Sequence, residues 1–152
     1  MKRAYQYRAR KKRRAAFIKN RLSTPDVSAD PVPLTGLLGG KPATDLEERF
    51  GRALQTFGLE FMFQMGVATP HSPPGVKKVV DFVVLSKGIF HPIEVDGQIG
   101  HRTSGQRGED AIREMLLNMT FAKWGYLPLQ RVKWYELETQ EMADAVVRRM
   151  FG

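Results

Sequence analysis

Between Thr44 and Phe151 the spacing of apolar residues alternates between a helical and a strand-like period, with Gly or Pro at most of the changes. Thr44 and Glu47 stand in capping-box relation, and Leu46, Phe50, Ala53, Leu54 and Phe57 then line one face. A helix is predicted from Thr44 to a stop at Gly58. LEFMFQMGV follows; its alternation predicts a half-buried strand with Leu59, Phe61, Phe63, Met65 and Val67 on one side, and TPHSPPG breaks it. KKVVDFVVL, residues 77–85, reads as a β-branched strand, SKG as a short turn, and IFHPIEVDG from Ile89 as the second arm of a hairpin. Pro92 marks a point unpaired on one side. Over residues 105–123, Ile112, Met115, Leu116 and Met119 recur at helical spacing and should form the apolar face of a helix closed by Gly125. LQRVKWYEL predicts one more strand, and Thr139 caps a last helix through Phe151 with Met142, Val146, Val147 and Met150 as its stripe. The order α-β-β-β-α-β-α predicts an α/β fold, a small mixed sheet with helices on its faces.

Composition adds an arm to this domain. A chain of 152 residues can bury one core, not two. It has no cysteine, which rules out disulfides and thiolate metal sites and fits a reducing compartment. No apolar run approaches the roughly 18–20 residues that span a bilayer, and no signal-peptide apolar region follows the basic start, so a soluble, intracellular, cytoplasmic protein is expected. The net charge of +8 is uneven: residues 1–22 hold ten of the 24 Lys and Arg and none of the 16 Asp and Glu. That arm, with Arg10, Lys11, Lys12, Arg13 and Arg14 at its centre, suits counterion release from DNA or RNA, and Tyr5, Tyr7 and Phe17 could stack on bases. A solvated tail or an address read by a carrier would share its composition. Residues 23–43, dense in Pro, Gly, Ser and Asp, read as a linker, which leaves 44–152 as the folded domain.

The candidate chemistry is acidic. Glu94 and Asp96 are two apart on a strand and project from the same face, and the hairpin brings Asp81, which interrupts the apolar VVDFVVL, toward them. Like charges raise one another's pKa and burial adds a penalty of the same sign; a divalent cation, Mg²⁺ or Mn²⁺, resolves the conflict with phosphate and water completing the shell. A DG turn accounts for Asp96 and Gly97 equally well, though not for Asp81 or Glu94. Capping accounts for Glu47, surface exposure for His101, and an intrahelical ion pair for Asp110 with Arg113.

Taken together, Glu47 on a helix, VVDFVV, PIEVDG, a downstream His and a helix beginning ED-AIR resemble the PD-(D/E)XK nuclease superfamily. Within it the chain is similar to the very-short-patch-repair-like group of small endonucleases. The resemblance covers residues 44 to about 138 and implies a restriction-endonuclease-like αβββαβ core. It implies a Mg²⁺-dependent endonuclease acting on DNA in preference to RNA, leaving a 5′-phosphate and a 3′-hydroxyl. Asp81, Glu94 and Asp96 would hold the metal, His101 would serve as general acid or base, and Glu47 would belong to the same catalytic set. Lys77, Lys78, Arg102, Arg107 and the arm would hold the DNA backbone. The superfamily's usual lysine after the second acid is Asp96 here, and Lys77 or Lys78 is the candidate replacement for its charge. A catalytically silent nucleic-acid-binding or assembly protein on the same fold, and a dimeric junction resolvase, are the alternatives. A phage or other mobile element is a source that such a nuclease would suit.

Overall fold

The computed structural model describes residues 29–70, 72, 73, 75–97 and 104–152, with side chains in that last stretch from Gly108 onward. The expected arm, with Arg10, Lys11, Lys12, Arg13 and Arg14, lies outside the described residues, as do His101, Arg102 and the side chain of Arg107. The elements are β1 (Leu37–Leu38), β2 (Lys41–Pro42), α1 (Asp45–Thr56), β3 (Glu60–Val67), β4 (Lys78–Ser86), β5 (Ile89–Asp96), α2 (Ser104–Trp124), β6 (Gln130–Lys133) and α3 (Gln140–Phe151). From α1 onward the order matches the pattern read from the sequence. The sheet runs β3-β4-β5-β6, antiparallel except for the parallel β5–β6 pair that α2 connects. This is an α/β fold with a mixed sheet flanked by helices, the αβββαβ arrangement of a restriction-endonuclease-like core. Among the described residues no helix is long and apolar enough to cross a membrane.

Helices α1 and α3 cover one face of the sheet, burying Phe50, Leu54, Phe82, Val84, Ile93, Val132, Leu137 and Val147. Helix α2 covers the other, over Val67, Val80, Val83, Leu117, Phe121 and Leu129. The capping box on α1 forms as expected: Glu47 N donates to Thr44 Oγ1 at 3.1 Å, and Thr44 N donates to Glu47 Oε2 at 3.0 Å.

Three expectations change. The stretch 23–43 is not a free linker where it is described. Glu48 of α1 is only 1% exposed. Its carboxylate accepts the backbone N–H of Thr35 at 2.9 Å and of Gly36 at 2.6 Å, and pairs with Arg52 at 2.7 Å. Arg49 grips Asp30 through two bonds of 2.8 and 2.9 Å, and Leu38 is buried against Gly51, where a side chain would collide with it. The β1–β2 hairpin also guards the outer edge of β3, since Lys41 Nζ donates to Phe63 O at 3.0 Å. Second, the apolar face expected on α2 is outside: Ile112, Met115 and Met119 are 57, 55 and 47% exposed, whereas Leu117 and Phe121 are buried. The helix carries two apolar stripes, and Arg113 and Glu114 have their partners on the sheet side, which turns that side inward. Third, the last strand ends at Lys133, because Glu136 Oε2 accepts the Lys133 N–H at 3.0 Å and turns Trp134–Glu136 into a 3₁₀ turn.

Candidate active site

The β4–β5 ladder stops at the pair Phe82–Ile93. Beyond it β4 stays paired with β3 as far as Lys78, while β5 stays paired with β6 as far as Asp96. The sheet therefore forks, and the next residues on the two sides of the fork are Asp81 and Glu94. Alternation along the strands breaks at the same place. Phe61 and Phe63 pack toward α1 and α3, yet Met65 and Val67 pack toward α2; on β4, Phe82 faces the first layer and Val80 the second. The expected single apolar face of LEFMFQMGV is thus divided. Its pivot is Gln64, held at φ 58°, a left-handed value uncommon for a residue with a Cβ and of a kind that clusters at functional sites. Gln64 and Asp81 fall in the gap between the pairs Phe63–Phe82 and Met65–Val80, and the Gln64 side-chain amide donates to Pro42 O at 3.1 Å.

Side chains close the fork where the backbone ladder has ended. Asp81 Oδ2 accepts the Val95 N–H at 2.9 Å, taking the place of a ladder carbonyl. From α2, Arg113 Nη2 donates to Val79 O on one side and Glu94 Oε1 on the other, both at 2.8 Å. Burial raises the pKa of Asp81, and the negative charges of Glu94 and Glu47 raise it further. The Val95 N–H and Arg113 oppose that rise, and the result is about 7. Glu47 therefore caps α1 and also adds its charge to the fork. Among the described residues no hydrogen bond reaches Asp81 Oδ1 or Glu94 Oε2.

Asp96 does not join them. Arg131 Nη1 donates to its Oδ1 at 2.9 Å and Lys133 Nζ to its Oδ2 at 2.8 Å, and Arg131 also reaches Glu114 of α2 at 3.1 Å. Burial works against the ionised form of Asp96, but Lys133 and Arg131 outweigh it and hold the carboxyl below its usual value. Among the described residues no group of three His, Cys, Asp or Glu side chains forms a site for a metal ion. Among the described residues Asp81 and Glu94 flank the fork, with the charge of Glu47 acting on Asp81, while Asp96 is paired with Arg131 and Lys133. This donor set still fits Mg²⁺, which usually takes one or two carboxylates and completes its octahedron with water and phosphate. Lys78 opens β4, and Lys77 lies exposed with its stem over Gly66.

Sequence reasoning missed Arg113 as the clasp of the fork, because Asp110 three residues before it supplied a sufficient local partner. It also missed Arg131 and Lys133. Their period of two in QRVK, matching that of Glu94 and Asp96, was the available signal, and it takes effect only once β6 is known to pair with β5 in parallel.

No protein-family model matches the chain, and no curated protein does. A solved structure described as a protein of unknown function, AF1548, shares 16% identity and a TM-score of 0.41, over 70% of this chain and 55% of that one. The chain thus spans about half the length of that protein.

Proposed function

We propose that the protein is a metal-dependent endonuclease that hydrolyses DNA phosphodiester bonds, of the PD-(D/E)XK type and similar to the very-short-patch-repair-like group. The observation that carries this reading is Asp81, a carboxyl driven up to about 7 by burial, Glu94 and Glu47 at a break in the sheet. An acid kept under such stress has no packing role that valine or asparagine would not fill better, whereas a cation relieves it.

In this reading Asp81 and Glu94 hold one Mg²⁺ or Mn²⁺ through Asp81 Oδ1 and Glu94 Oε2, the oxygens that no hydrogen bond occupies among the described residues. When bound, the ion supplies charge to the phosphoryl oxygens and makes a water acidic enough to attack in line. The Val95 N–H and Arg113 orient the two carboxylates by holding one oxygen of each. Lys133 and Arg131, in place of Lys77 or Lys78, bring positive charge to the position where the superfamily's lysine would stand. His101 serves as general acid or base, and Lys77, Lys78, Arg102, Arg107 and the arm hold the DNA backbone, without sequence preference and with strong salt dependence. DNA is the proposed partner and the cytoplasm the proposed place of action.

Nicking of supercoiled DNA in Mg²⁺ tests the reading. It is expected to vanish in EDTA and to fall to background in Asp81→Asn and Glu94→Gln, with Asp96→Asn retaining part of it. Cleavage by Asp81→Asn at the parental rate would overturn it. The alternative is a silent nucleic-acid-binding or assembly protein. It is favoured by Asp96 standing in the lysine position and by the pairing of Glu94 with Arg113. Salt-sensitive DNA binding with no cleavage in either Mg²⁺ or Mn²⁺ is its signature.

A further inference from the structure

The outward face of α2 inverts the usual order of a surface helix. Its exposed positions are Gly108, Ala111, Ile112, Met115, Met119 and Ala122. Leu116 is half-buried at their margin, and charge stands only at the two ends, as Glu109 and Lys123. A helix against one sheet face should turn such a stripe inward. Here the inward side is occupied by Leu117, Phe121, Arg113 and Glu114, so the stripe has no cover among the described residues. A continuous apolar patch rimmed by charge marks an interaction surface.

The patch is self-complementary. Glu109 and Lys123 lie two helical turns to either side of Leu116. Neither has an ion-pair partner among the described residues. An antiparallel pairing of two copies about an axis beside Met115 and Leu116 brings Glu109 of each against Lys123 of the other. It also brings Ile112 of each against Met119 of the other. Gly108, Ala111 and Ala122 let the backbones approach, and a two-fold axis uses the same patch on both copies. We infer that the protein forms a two-fold homodimer through the outward face of α2, with Ile112, Met115 and Met119 as its apolar centre and Glu109–Lys123 pairs at both ends. The inference is independent of the chemistry at the fork.

Sedimentation equilibrium of the full chain over about 1 to 100 µM, a range spanning ordinary dimer affinities, tests it. A dimer is expected for the parent. Met115→Glu places two carboxylates beside the axis and should weaken association about a hundredfold or more. The residue is exposed, so its circular dichroism should match the parent's. Glu109→Lys and Lys123→Glu should each weaken the dimer about threefold to tenfold, and the double variant should restore it, because the swapped charges again meet as opposites. A monomeric parent across the range, whether its stripe is bare or covered by residues 1–28, would overturn the inference. So would a dimer indifferent to Met115→Glu, or a double variant as weak as the singles.

Discussion

Asp81 shows how one residue can tax a fold. Its carboxyl ionises near 3.8 in an unfolded chain and near 7 here, so between those values the folded state binds the extra proton. Stability is therefore greatest at the acid end and is lost as pH rises from about 4 to about 7. Asparagine at this position keeps an acceptor for the Val95 N–H and removes the charge. Asp81→Asn is expected to be more stable than the parent by about 4 kcal/mol at pH 8, with the gain fading toward pH 4. Urea unfolding across that range checks the slope; a pH-independent difference would mean that the carboxyl ionises freely. Arg113 has the opposite sign. Arg113→Met leaves Glu94 without its partner at the fork and should cost about 1–3 kcal/mol at neutral pH, read from thermal melts. Gln64 sits at a left-handed φ that glycine adopts without strain and a β-branched residue resists. Gln64→Gly should change stability by less than about 1 kcal/mol, and Gln64→Val should lose about 1–3 kcal/mol.

At the scale of elements, the helix starts, the hairpin and the strand order along the chain were legible, because caps, turns and apolar period are local signals. Thr44 with Glu47 and Thr139 with Met142 cap α1 and α3 where the sequence puts them. The failures share a cause. Ile112, Met115 and Met119 outnumber Leu117 and Phe121 as an apolar stripe, and only the partners of Arg113 and Glu114 across the sheet decide which stripe turns inward. The division of LEFMFQMGV at Gln64 has no residue signal of its own, and its trace in the sequence is the acid at position 81 on the neighbouring strand. Likewise, residues 29–43 have a linker's composition, but buried Glu48 pins them through the N–H groups of Thr35 and Gly36. Glu48→Ala strands those donors and takes the carboxylate from Arg52, and is expected to cost about 3–5 kcal/mol. Limited proteolysis should then cut within residues 29–43 well before the domain unfolds; simultaneous loss of both would show that the segment and the core melt as one.

At the scale of the whole molecule, two halves of a sheet part where their acids meet, and helices from both faces reach the gap: α1 through the charge of Glu47, α2 through Arg113. Asp81 and Glu94 are the first residues past the last β4–β5 pair, while Asp96 is paired with Arg131 and Lys133 of β6. The distinction was beyond the sequence, since Glu94 and Asp96 share a strand face and differ only in what β6 places beside them. Isothermal titration of the full chain with Mn²⁺ tests the central claim most directly, because it reads the carboxylate pair without requiring turnover. One equivalent is expected to bind to the parent and to Asp96→Asn, and binding should be lost in Asp81→Asn and Glu94→Gln. Uptake by Asp81→Asn equal to the parent's, or none by the parent, would contradict a cation site at the fork.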